Sequence, residues 1–195
     1  MISDADLSIN FDEISLSVNK NGQALVAWNK IGSGYGVFSS AYSPDSGWSE
    51  PVMLTDSVNG ARAASVSIDK SGNGHMVWKQ YDGESEDFNY RQIWTAQLNE
   101  GLWSEPLLLI ERDTSRLSFP SIKSDIDGRV LLLWEESSGD NDGHYWQRYL
   151  PYSGWSNETL FSTDTTSYNL NVIMKESGEA SISYRESGIQ HRVFE

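Results

Sequence analysis

Four glycines, Gly22, Gly72, Gly128 and Gly178, each stand six residues before an aromatic: Trp28, Trp78, Trp134 and Tyr184. They are 50, 56 and 50 residues apart, so a 195-residue chain repeats itself four times. A repeat of this length constrains the fold more than any single motif. Each unit must be a small supersecondary structure that buries its apolar face on its neighbours. The residues around the glycines identify that unit. Before them, apolar positions alternate, as in Ile14, Leu16 and Val18, or Ala64, Val66 and Ile68. After them the alternation resumes, as in Ala24, Val26 and Trp28, or Val130, Leu132 and Trp134. A period of two marks a strand with one buried face. Between the two arms lie Asn19-Lys20-Asn21-Gly22, Asp69-Lys70-Ser71-Gly72, Asp125-Ile126-Asp127-Gly128 and Lys175-Glu176-Ser177-Gly178. These read as tight turns in which glycine supplies a positive φ. Each repeat therefore opens with a β-hairpin.

A third segment follows in every repeat, at 37–42, 92–98, 144–149 and 190–194, rich in aromatic and β-branched residues. A fourth follows in three of them and opens on Trp48-Ser49, Trp103-Ser104 and Trp155-Ser156. Pro51 and Pro106 mark it as an edge strand, because proline cannot donate to a central ladder. No segment carries a helical apolar stripe. Four antiparallel strands recurring about every 50 residues are the pattern of a propeller blade. The expected fold is thus all-β: a single β-propeller domain over 1–195, with blades at about 13–60, 61–116, 117–166 and 167–195. The last blade is either incomplete or closed by the N-terminal segment, where Ile2-Ser3-Asp4 lines up with Leu54-Thr55-Asp56. An edge left open there offers itself to a second copy of the chain.

Composition narrows the partners. The net charge of −14 argues against nucleic acid and anionic membranes, which require clustered Lys and Arg. No run of apolar residues is long enough to span a bilayer. The chain has no cysteine, which excludes disulfides and thiolate-bound zinc. Its eight Trp point to packing and binding through large aromatics.

The repeats resemble the blades of bacterial sialidase-like and Asp-box β-propellers. The box reads Ser/Thr-x-Asp-x-Gly-x-x-Trp. Here Ser67-Ile68-Asp69-Lys70-Ser71-Gly72 carries an extra residue before its glycine. In Ser124-Asp125-Ile126-Asp127-Gly128 an Asp directly precedes the glycine, and the Trp stands six residues on in both. The resemblance implies the fold and transfers no activity.

Candidate chemistry is sparse. Trp94 and Trp146 are read as matched positions of the third strand, with Tyr90 and Tyr145 adding aromatic surface. Such faces stack on the C–H faces of sugar rings. Arg62 and Arg116 fall before the first strands of repeats two and three, where a pair of guanidiniums can hold a carboxylate. Asp140-Asn141-Asp142-Gly143 carries the oxygen ligands of a calcium loop, with Asp140 and Asp142 as ligands. The histidines, His75, His144 and His191, show no ligand spacing and complete no triad. The expectation is a non-catalytic recognition module, extracellular or periplasmic, that meets a glycan or a protein. The alternatives are a degenerate sialidase-like glycoside hydrolase and a structural segment of a larger secreted protein.

Overall fold

A computed structural model describes residues 8–9, 14–31, 36–55, 60–81, 90–138, 142–163, 171–185 and 189–194. Among these residues every element is a strand, and every pairing is antiparallel. Four sheets follow one another along the chain. The first holds β1 (Ser8–Ile9), β2 (Ser15–Val18), β3 (Ala24–Ile31), β4 (Gly36–Ser43), β5 (Gly47–Trp48) and β6 (Val52–Met53). The second holds β7 (Arg62–Ile68), β8 (Gly74–Tyr81), β9 (Tyr90–Asn99), β10 (Leu102–Trp103) and β11 (Leu107–Glu111). The third holds β12 (Arg116–Ser124), β13 (Val130–Ser137), β14 (Gly143–Leu150), β15 (Gly154–Trp155) and β16 (Thr159–Ser162). The fourth has β17 (Asn171–Met174), β18 (Ala180–Arg185) and β19 (Ile189–Phe194). Short strands share one flank of the same partner: β5 and β6 on β4, β10 and β11 on β9, β15 and β16 on β14, and at the inner side of the first sheet β1 and β2 on β3. Sheets one to three are therefore four-stranded blades with a broken outer strand. Ser8–Ile9 pairs with β3, so the first blade reaches back before residue 13. Residues 2–4 lie outside the described residues.

The repeated hairpin turn is built as its sequence implies. The N–H of Asn19 donates to the carbonyl of Gln23 at 2.9 Å, and that of Gly22 to Asn19 at 3.1 Å. The same pair recurs at 69–73, 125–129 and 175–179. The fourth residue is held at φ of 76° to 87°, a region that favours glycine. In three turns the opening side chain locks the loop: Asp69 Oδ1 accepts the N–H of Ser71 and of Asn73 at 2.7 and 3.0 Å. Asn19 and Asp125 do the same.

The Trp-Ser motif also has a structural cause. Ser104 Oγ accepts the N–H of Gln97 at 3.0 Å and donates to the carbonyl of Glu105 at 3.0 Å. Ser49 and Ser156 repeat both bonds. The hydroxyl satisfies ladder groups where the outer strand breaks. Pro51 and Pro106 lie in that break rather than in a strand.

Alternation sends successive residues to opposite neighbours. Leu25, Ala27 and Val37 of blade one meet Val66, Met76 and Trp78 of blade two. Val77 and Ile93 of blade two meet Ile122, Leu132 and Trp134 of blade three. Leu131 and Leu133 of blade three meet Val172, Ala180 and Ile182 of blade four. Hydroxyls tie the innermost strands together: Val66, Ile68 and Ile122 donate their N–H to Ser15, Ser17 and Ser65 at 3.1, 3.2 and 3.1 Å. The first blade has no described blade before it. Ile14, Leu16 and Val18 are accordingly 46%, 57% and 60% exposed, where Ala64, Val66 and Ile68 are 6%, 1% and 8%. Lys20 in the first turn pairs with Glu176 in the fourth. Among the described residues no sheet is closed on itself.

Candidate functional site

Backbone register corrects the reading of the aromatics. Trp94 stands opposite Trp78, whereas Trp146 stands opposite Leu133. The partner of Trp134 is Tyr145, and that of Trp28 is Phe38. The position matching Trp94 is therefore held by Phe38 and Tyr145, and Trp146 is one residue out of phase. A shift of one residue moves a side chain to the other face of its sheet. Trp94 thus packs on the seam between blades one and two. Trp146 packs on the seam between blades three and four, with the Arg148 guanidinium 6.0 Å from its ring centroid.

The other sequence candidates are scattered. Tyr90 is 7% exposed, stacks on Tyr81 at 4.2 Å and carries the Lys79 ammonium over its ring, so it offers no free face. Tyr145 stacks on Trp134 at 5.6 Å, and burial followed by the Glu136 charge raises its pKa. Arg62 and Arg116 are the first residues of β7 and β12 rather than loop residues. They stand at unlike heights, Arg62 opposite Lys79 and Arg116 opposite Ser137. Arg116 lies near Glu135, whose pKa is raised by burial against the opposing pull of that arginine. Asp142 accepts the N–H of Ser138 at 2.7 Å, and Asp140 lies outside the described residues.

The seam between blades one and two does form a groove. Its upper part, about 500 Å³, is lined by Met53, Thr55, Trp78, Gln80, Trp94 and Trp103, among others. A second depression of about 610 Å³ continues it, sharing Val52 and Trp103 and reaching Trp48 and Asn73. Trp94 and Trp103 are half-buried: both pack against the core cluster of the seam and both line the groove. The Trp78 indole N–H donates to Gln80 Oε1 at 3.1 Å, and that of Trp94 to Gln92 Oε1 at 2.9 Å. Gln92 Nε2 in turn donates to Glu111 Oε1 at 2.7 Å. Both indoles are thereby fixed in orientation, and the Gln80 amide is turned so that its NH₂ is the donor left over.

The next seam shows why this one stays open. In blade three the matching residues are Trp134, Glu136, Tyr145, Trp155 and Glu158. Arg112 crosses from blade two, with Nε 2.9 Å from Glu136 and its terminal nitrogen paired with Glu158. Burial disfavours the cation, but the two carboxylates more than offset it and raise its pKa. Glu136 is buried, so the pair is held in a low-dielectric setting. Along the first seam these acids are replaced by Gln80 and Pro106. Trp103 and Pro106 are read by motif only as parts of an edge strand, and Gln80 by no motif at all. Only comparison of one repeat with the next exposes them.

No protein-family model matches the sequence, and no curated protein is significantly similar to it. Solved structures are similar in fold. A Hadza microbial sialidase superposes on 93% of this chain with a TM-score of 0.65 at 13% identity, over 44% of its own length. An ulvan lyase, a polysaccharide lyase, matches 90% with a TM-score of 0.62 at 9% identity, over 51% of its length. An endo-arabinase of Bacteroides thetaiotaomicron matches 99% with a TM-score of 0.59 at 16% identity, over 78% of its length. The likeness establishes an all-β fold of propeller blades. The chain spans about half the length of the sialidase and of the lyase.

Proposed function

We propose that this chain is a non-catalytic glycan-recognition propeller, working outside the cytoplasm, whose ligand lies along the seam between blades one and two. The observation that carries this reading is the groove itself. It presents two half-buried indoles, Trp94 and Trp103, the first with its N–H held by Gln92, beside an amide, a hydroxyl and a carboxylate at Gln80, Thr55 and Glu105. A sugar ring needs that combination: a flat apolar surface for its C–H face and convergent polar groups for its hydroxyls. The enzymes similar in fold support the class of ligand, since a sialidase, an endo-arabinase and an ulvan lyase each act on glycans. A glycoside hydrolase is the second reading. It is favoured by Glu135, whose raised pKa suits a proton donor and which lies near Arg116 and Asp142 on the third blade.

One experiment separates them. The purified chain is screened on a glycan array, with Trp94→Ala beside it and circular dichroism to check that both are folded. Binding that falls at least about tenfold, or about 1.4 kcal/mol, in the folded variant supports the seam. Unchanged binding moves the site elsewhere. Turnover of the bound oligosaccharide that disappears in Glu135→Gln overturns the non-catalytic reading.

A further inference from the structure

We infer that the groove between blades one and two is specific for an uncharged glycan strand and rejects glycans bearing carboxylates or sulfates. This rests on the proposed glycan reading and deepens it. Among the described residues, neither part of the groove is lined by Lys, Arg or His. Its charged groups are all acids: Glu105 above, Glu50 and Glu100 below. Neutral donors and acceptors accompany them, notably Gln80, Gln23 and Asn73. Recognition of an anionic sugar requires charge-assisted donors, above all guanidinium. None lines the groove, and an anion placed there also meets like charge in a partly desolvated cleft.

The rest of the molecule provides an internal control. A depression beside the hairpin turns of blades two and three has Lys70 and Arg129 in its wall, and Arg129 stands where the first groove has Asn73. Its upper counterpart is spanned by Arg112, held between Glu136 and Glu158. Cations are thus available to this repeat and stand at neighbouring seams. At the first seam the acids of the upper counterpart have given way to Gln80 and Pro106. Two depressions that share Val52 and Trp103 run on from one another, which suits several sugars of a linear chain better than one terminal residue.

The test is titration calorimetry of the full chain with linear arabino- and xylo-oligosaccharides against oligogalacturonate and a sulfated oligosaccharide of similar length. The neutral series is expected to bind at least about tenfold tighter, with an affinity little changed by added salt because no ion pair is formed. The folded variant Glu105→Arg is expected to gain affinity for the anionic oligosaccharide relative to the neutral one, an outcome independent of any damage from truncating a tryptophan. Anionic oligosaccharides that bind as tightly as neutral ones overturn the specificity and leave the glycan reading standing. Failure of both series to bind overturns the two together.

Discussion

His75 shows what a buried imidazole costs this fold. It lies between blades two and three, its ring centroid 4.5 Å from that of Tyr149 and 6.3 Å from that of Trp155. Burial disfavours the imidazolium and lowers the pKa from 6.5 to about 4. Between those values the unfolded chain binds a proton here and the folded chain does not. Stability contributed by the neutral ring is therefore complete above about pH 6.5 and is lost as the pH falls towards 4. The full span corresponds to about 3 kcal/mol. In denaturant titrations, His75→Leu is expected to flatten the fall of the unfolding midpoint between about pH 7 and pH 4.5, since leucine has no proton to bind. A variant whose midpoint falls as steeply as that of the parent chain assigns the acid sensitivity to other groups.

At the scale of the element, a repeat allows one substitution to be made at equivalent positions in different surroundings. Leu16 in β2 and Ile122 in β12 occupy the same place in their blades, yet one is 57% exposed and the other fully buried. Ile122→Ala is expected to cost about 2–5 kcal/mol through lost burial and a residual cavity. Leu16→Ala should stay within about 0.5 kcal/mol. Chemical denaturation of the two variants checks this, and a comparable loss for Leu16 means that something covers the first blade. The difference between the two sites was not legible in the sequence, where both are apolar residues six before a turn glycine. The hairpins were legible, because Gly22, Gly72, Gly128 and Gly178 fix turn and phase for both adjoining strands. The third strands were placed correctly but out of phase. They follow loops of unlike length, so the step from Trp78 to Trp94 differs from the step from Trp134 to Trp146. Period two alone does not say which face a strand presents once that count is lost. The groove was illegible for a further reason. It arises from what Gln80 and Pro106 fail to supply, and that is visible only against Glu136 and Glu158 at the next seam.

For the whole molecule, the arrangement is a row of blades with unequal cover. The third blade is packed on both faces, through Leu132 and Trp134 on one side and Leu131 and Leu133 on the other. The fourth has three described strands, and Ile173 and Val193 on its outer face are 63% and 52% exposed. On that face Ser181 and Ser183 stand where blade three has Leu131 and Leu133. Each blade in such a row draws its stability from its neighbours, so local opening should be cheapest where one neighbour is lacking. Hydrogen exchange is expected to be slowest in β13 and fastest in β18 and β19, with β3 between them. The ion pair of Lys20 with Glu176, which joins the first turn to the fourth, is exposed. It contributes too little to make the row open as one unit. Exchange at one common rate in all four sheets demands the opposite arrangement, a ring whose first and last blades support each other as firmly as the second and third do.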